Sequence, residues 1–448
     1  MFSIVPILSR VCVAHSPLRR LAIIACSLAL LPISFMPYQA VAASSLPKLE
    51  LQDAIKRTLE HNPQLLTYGA RFRGVQARAI TAKQSPPLAL GLSVENFAGS
   101  GEHKKFDAAE LTLSLSSVLE LGGKRSLRSS LVSAEAEKLA VARDLETLNL
   151  LGELTQAFIS TRALQERLHL ADEAIGLAES TYKIVKRRAD AGASPEAEVW
   201  RAKAALTQTK LARDALLGHI ENQKFTLSAF WGARNVDFQS LSGDLYAFTQ
   251  ADSFESLYQR ASAKPLIQIY ASEQRIRELD LQAARAAGKS DIQWQLGLRR
   301  LEDGDDNALV AGFSLPLFAS SRNEGRVGSA LAAMDEVQYQ QQSALLALHT
   351  RLRSAYRQRE ISIQALEKIR TDLLPALERA LVETRKAYEH GRYTYVDWSA
   401  AQRELQAGKQ LLIDSAVTAL LNQTLIEQLS GEALAQIQPQ PATETTAN

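Results

Sequence analysis

Two short stretches hold the side chains with the most chemistry to offer. One reads Gly192-Ala193-Ser194-Pro195-Glu196-Ala197-Glu198, the other Gly391-Arg392-Tyr393-Thr394-Tyr395-Val396-Asp397. Each opens on glycine, which takes the left-handed conformation of a helix end without steric cost. Each then supplies hydroxyls and carboxylates at capping distance. Ser194 stands as N-cap ahead of Pro195 at a first helical position, and Thr394 and Asp397 stand as caps of the helix that follows. Such groups close helix ends and carry fixed charge; they do not make a nucleophile and its base. Beyond residue 42 the histidines (His61, His103, His169, His219, His349 and His390) lie far apart, no cysteine remains, and Met334 is the one methionine. No metal-ligand spacing results, and His390 beside Gly391 reads as a solvated side chain. A G-x-S-x-G turn, a glycine-rich phosphate loop and a carboxylate pair on neighbouring elements are all missing. The sequence therefore reads as a non-enzyme with no cofactor and no metal site of its own.

The elements around these stretches repeat. From Gly192 to Gly391 the offset is 199 residues, and the helices that follow end at Gly232 and Gly431, the same distance apart. A length of 448 residues is thus better explained by a tandem duplication than by unrelated domains. In the first half, amphipathic helices are predicted over Leu46–Glu60 and 64–84, separated by Asn62-Pro63. A strand follows over 88–97 with apolar residues at Leu88, Leu90, Leu92 and Val94, and a second over 110–117 with Leu111, Leu113 and Leu115. After Gly122-Gly123 a helix runs for about 70 residues to Gly192, roughly 100 Å at the α-helical rise. It returns over Ser194 to Gly232. In the second half, Phe254–Ala263 and Pro265 open the series, strands are predicted over 291–301 and 308–315, and a second long helix spans Asn323 to Gly391. Pro375 should kink that helix. The organisation is a leader (1–42), a first repeat (43–232), a linker (233–253), a second repeat (254–431) and a polar tail (432–448) expected to be disordered.

The leader has Arg19 and Arg20 ahead of an apolar run from Leu21 to Phe35, then Ala40-Val41-Ala42, the small-residue pattern of a secretory cleavage site. The mature chain is expected to begin at Ala43. Pro32 and Pro37 break the run and weaken a membrane-anchor reading. Ile23-Ile24-Ala25-Cys26 resembles a lipoprotein processing box, but it lies close to Arg20 and the apolar run continues past it, so acylation is the lesser expectation. Nothing later approaches about 18 consecutive apolar residues, so any membrane span has to be built of strands. Four strands leave open edges that lipid does not tolerate, and three copies would supply twelve, an allowed number for an outer-membrane barrel. The expected fold class is an α + β membrane protein. Its duplicated unit forms a trimeric 12-stranded β-barrel, four strands per protomer, continued by a long α-helical barrel. A net charge of +2 gives no reason to expect a nucleic-acid partner.

Taken together, the order of elements and the motifs resemble the TolC family of outer-membrane efflux channels across essentially the whole mature chain. Leu119-Glu120-Leu121-Gly122-Gly123-Lys124-Arg125 is similar to the signature of its CzcC-like, heavy-metal branch. The stretch from Gly192 to Glu198 is similar to the family's first periplasmic helix tip. Gly391 to Asp397 followed by Ala401-Gln402-Arg403 is similar to its second. The resemblance implies a homotrimer in outer-membrane lipid, a tunnel through the periplasm, and docking through a periplasmic adaptor protein to an inner-membrane RND pump. The function so implied is a passive exit duct, for heavy-metal cations in this branch. It also implies a periplasmic gate, with Asp397 at an acidic position, Tyr388 at a tyrosine that ties the closed state, and Glu198 as an acidic partner. Gly192, Ser194, Gly391, Tyr393 and Thr394 would form the tips that meet the adaptor. A second family aspartate would fall at Ala400, so the acidic ring is single here. Plain helix capping stays open for Asp397, and plain packing for Tyr388. Relatives that export drugs or whole proteins leave the cargo open, and a periplasmic coiled-coil adaptor is the rival from another class.

Overall fold

The computed structural model describes residues 46–431 apart from 249, 251, 318 and 319. The expected leader, its cleavage at Ala42, Cys26 and the tail 432–448 lie outside these residues. The first half runs β1 (Lys48–Leu49), α1 (Leu51–His61), α2 (Pro63–Ala82), β2 (Ala89–Glu95), β3 (Glu110–Leu119), α3 (Lys124–Asp190) and α4 (Glu196–Ala229). After β4 (Ser240–Leu241) the order returns as α5 (Phe254–Ser262), α6 (Pro265–Ala287), β5 (Ile292–Leu301), β6 (Asp306–Ser314), α7 (Glu324–Lys368), α8 (Leu374–Glu389) and α9 (Tyr395–Ser430).

The duplication extends to the hydrogen bonds that close the two reversals. Gly192 and Gly391 have φ of 71° and 73°. Behind them the Ala193 N–H donates to the Arg188 carbonyl and the Arg392 N–H to the Ala387 carbonyl, both at 2.8 Å. This six-to-one closure satisfies carbonyls that the helix end leaves unpaired.

Three boundaries differ from expectation. Ser194 caps nothing. Pro195 is itself the N-cap, extended at φ −66° and ψ 144°, and α4 starts at Glu196. Proline disfavours helical backbone in the residue before it, so Ser194 is held outside the helix. The second long helix is interrupted at Ile369–Leu373 by a π-helical turn, closed by the Leu374 N–H on the Ile369 carbonyl. Pro375 has no N–H to donate, and the wider turn accommodates its ring, so the expected kink takes this form. The linker also has structure. Its β4 pairs in parallel with β1, Leu49 opposite Leu241, and Phe238, Leu241 and Leu245 are buried.

β2, β3, β5 and β6 form one antiparallel four-stranded sheet in that order, close to the four predicted strands. Opposed residues in an antiparallel pair share a face. Leu92, Leu113, Leu298 and Leu309 make one row, and Leu90, Leu115, Leu296 and Ala311 the next. The other face is mostly Ser, Thr, Gly, Gln, Glu, Asp and Arg, with Val310 and Leu301 among them. The apolar face is uncovered: Leu90 is 74 % exposed, Phe313 84 % and Leu309 87 %. β2 and β6 each keep one unpaired edge within the chain. No described helix is long and apolar enough to cross a membrane.

The 119–125 motif is the corner where β3 becomes α3. Gly122 and Gly123 are both left-handed, with φ of 79° and 72°. A Cβ on Gly122 would meet Lys289 Cδ at 2.7 Å. Lys124 Nζ lies 2.8 Å from Asp291 Oδ2 and donates to the Lys289 carbonyl, while Asp291 Oδ1 accepts from the Leu121 N–H at 2.9 Å. Glu120 grips Arg128, and Arg125 donates to Ser85 Oγ at 2.8 Å. One corner thereby ties the end of α2, the start of α3 and the entry to β5.

Two cores lie where the short helices meet the long ones. Leu51 and Ala54 of α1 pack with Leu154 and Phe158 of α3, Leu227 of α4, and Phe238. In the second half Leu257 and Ala261 of α5 pack with Leu348, Leu352 and Ala355 of α7 and Ile426 and Leu429 of α9. Phe158 is 0 % exposed. Phe158→Ala should lower stability by about 3–5 kcal/mol through the cavity it leaves, read in chemical denaturation of the purified protein.

Candidate functional site

Both reversals contribute to one packed tip. Ile184 and Val185 of α3, Ala202 of α4, Tyr388 of α8 and Tyr395 and Trp398 of α9 form a single buried cluster. Tyr388 is its centre, 2 % exposed, with its ring 5.1 Å from that of Trp398. Its hydroxyl donates to Glu198 Oε2 at 3.0 Å, across 190 residues of chain. The guanidinium of Arg188 lies 4.9 Å from the centre of the same ring, a cation–π contact. Arg188 Nη1 donates to the Glu389 carbonyl at 2.6 Å and Nη2 to the Ala193 carbonyl at 3.2 Å. One arginine therefore joins the turn after α3 to the last residue of α8. Further along, Gln402 Nε2 donates to Thr181 Oγ1 at 2.7 Å, joining α9 to α3.

The expected trio is thus split. Tyr388 and Glu198 are joined, while Asp397 is exposed and serves its own helix. Thr394 is the N-cap of α9, and its Oγ1 accepts from the Asp397 N–H at 3.3 Å. Asp397 Oδ2 accepts in return from the Thr394 N–H at 2.9 Å and the Thr394 hydroxyl at 2.7 Å. These bonds complete a capping box. They also hold the Asp397 carboxyl below its usual range. Gly192 and Gly391 make the turns, Ser194 is half-buried at the first, and Tyr393 stands exposed at the second. Arg188, Trp398 and the partner of Gln402 were not foreseen. A basic residue in a last helical turn is a visible signal, but nothing local says that it serves the other hairpin.

The chemistry of this tip is mechanical and electrostatic. No group of three or more His, Cys, Asp or Glu among the described residues could hold a metal ion. Burial first, and then the Glu198 carboxylate, push the Tyr388 hydroxyl up to about 12. Its ordinary value is 10. The contribution of this tether to stability is whole below about pH 10, where the hydroxyl is protonated folded and unfolded. It declines between about pH 10 and 12, where only the unfolded form ionises. Tyr388→Phe should therefore destabilise the tip by about 1–2 kcal/mol at neutral pH and make the high-pH decline shallower, leaving the part due to Tyr246, which burial also pushes up to about 12; both are followed by thermal unfolding across pH.

Comparison with known proteins places this architecture. A family model described as outer membrane efflux protein matches residues 54–233 and 278–432, well over half of the chain and most of each repeat. The cobalt-zinc-cadmium resistance protein CzcC of Cupriavidus metallidurans is 25% identical over 292 residues, covering 64% of this chain and 69% of that protein. The nickel-cobalt-cadmium resistance protein NccC of Alcaligenes xylosoxydans xylosoxydans is 22% identical over 303 residues, covering 65% and 67%. Among solved structures, CusC superposes with a TM-score of 0.74 at 16% identity, over 90% of this chain and 97% of CusC. The outer membrane protein VceC of Vibrio cholerae gives 0.71 at 19% identity, over 86% and 97%. The rival reading as a periplasmic adaptor falls with this match. Duplicated hairpins, a shared sheet and a family match over both repeats make this chain a member of the outer membrane efflux protein family.

Proposed function

We propose that three copies of this outer-membrane efflux protein close their sheets into one twelve-stranded barrel. The barrel continues as a helical tunnel across the periplasm and gives heavy-metal cations a passive way out. The observation that carries this reading is the sheet, apolar and uncovered on one face, polar on the other, with an unpaired edge at each side. Lipid tolerates no open edge, and β6 runs antiparallel to β2, so neighbouring copies can pair edge to edge. β3 and β5 are ten residues each, the length of a tilted membrane strand of about 9–11 residues. Trp294 opposite Phe313 at the helix end, and Phe97 stacked on Phe106 at the loop end, stand where aromatic girdles belong. The cargo class is supported by the metal-resistance relatives; in such an assembly an inner-membrane RND pump selects the cargo and a periplasmic adaptor bridges to the tips. Gly192, Ser194, Gly391, Tyr393 and Thr394 are the surface offered to that adaptor.

The Tyr388–Glu198 bond and the Arg188 clamp tether the closed tip. Asp397, repeated three times around a narrow opening, gives the entrance its cation preference while it caps α9.

Leu92→Arg and Leu296→Arg put a cation mid-strand on the lipid face, at about 2–4 kcal/mol near the bilayer midplane. Both variants should lose detergent-resistant trimers and the cadmium tolerance that the unaltered chain restores to a strain lacking it. Normal trimers and tolerance in both would overturn the barrel. Asp397→Asn keeps a capping side chain and removes the charge, so the purified pore should lose cation preference in planar bilayers with its trimer intact. Unaltered selectivity would leave Asp397 as a cap alone.

A further inference from the structure

The polar face of the sheet is graded along its length. Near the helices its rows hold neutral residues, with Ser114 opposite Gly297 and Ser116 opposite Gln295. Charge is confined to the loop end, where Glu95, Glu110 and Asp306 share this face with Arg299. Arg299 is half-buried and uses every guanidinium nitrogen. Nη1 donates to Glu110 Oε2 at 2.5 Å, Nη2 to Glu95 Oε2 at 3.2 Å, and Nε to Thr112 Oγ1 at 3.0 Å. Asn96 Nδ2 donates to the other Glu110 oxygen at 2.8 Å. The fork spans three strands and crosses the seam between the two repeats, β3 to β5. Glu95 and Glu110 are direct cross-strand partners, an arrangement in which like charges repel. Arg299 is what makes it tolerable.

We propose that Arg299 sets the charge of the channel's outer mouth, weakening its hold on divalent cations so that exported cations leave. This rests on the reading that the polar face lines the pore of a trimer. On the polar face of its strands each copy then brings three carboxylates and one guanidinium to the mouth. A ring of carboxylates draws cations in, but conduction also requires that they be released. An arginine suits the balance, because it keeps its charge at any working pH and its planar fork fixes two carboxylates at once. Without it, a divalent cation could take the guanidinium's place between Glu95 and Glu110.

The test is conductance of the purified full-length protein in planar bilayers, under a KCl gradient, with Cd²⁺ added on the loop side. Arg299→Gln should raise the K⁺ over Cl⁻ permeability ratio roughly twofold or more and bring Cd²⁺ block to about tenfold lower concentration. Arg299→Lys, which keeps the charge, should stay near the unaltered ratio. The Glu95→Gln, Glu110→Gln double variant should shift both readings the opposite way. Arg299→Gln pores with unchanged selectivity and block would overturn the proposal while leaving the channel reading intact. Should Arg299→Gln fail to assemble, unaltered selectivity in the double variant overturns it equally. An unaltered chain that forms no pore at all overturns the channel reading, and this proposal with it.

Discussion

A backbone N–H or C=O left facing hydrocarbon costs several kcal/mol, and a single copy of this chain has two strand edges full of them. β3 and β5 have ten residues each, the register puts leucine beside leucine on one face, and the first and last strands run in opposite directions. The helices answer the same demand by another route, since each satisfies its own backbone and needs partners only for side chains. The chain passes between helix and strand four times at this sheet, entering and leaving each of its two hairpins.

The corner after β3 shows how that change is held. Two consecutive left-handed glycines turn the strand into α3, and the space beside Gly122 is already occupied by Lys289. Beside the local Glu120–Arg128 pair, the polar partners around them come from segments far apart in sequence, Ser85 and Asp291. A motif that looks like local punctuation is thus a meeting point of both repeats. At the opposite end of the helices Arg188 does comparable work with fewer groups, serving one carbonyl from each hairpin.

Much of this was legible in the residues. Period-two leucines marked the strands because both faces of a sheet are set by alternation alone, and the glycines at a fixed offset marked the reversals because few other residues take that backbone. The capping pair Thr394 and Asp397 was legible for the same local reason. Pro195 was placed one residue wrong, since a proline fits both the cap and the first helical position. The π-helical turn ahead of Pro375 could not be distinguished from a simple kink, because both relieve the same clash. Residues 233–253 looked structureless because their anchors, Phe238, Leu241 and Leu245, bury singly into helices of distant sequence and leave no period. The Tyr388–Glu198 pairing came from family likeness rather than from spacing, and Arg188 came from neither.

The two helix tips share a backbone and differ in chemistry. One starts its return helix on a bare proline with Glu198 turned inward to a tyrosine; the other starts on a closed capping box with Asp397 turned outward. Three copies would set six such tips around the tunnel's end, sixfold to the eye of a backbone trace and only threefold in charge. A ring of six identical partners seated there would find itself in two alternating environments. Its subunits would bind as two classes, and a substitution at Asp397 would reach every second one.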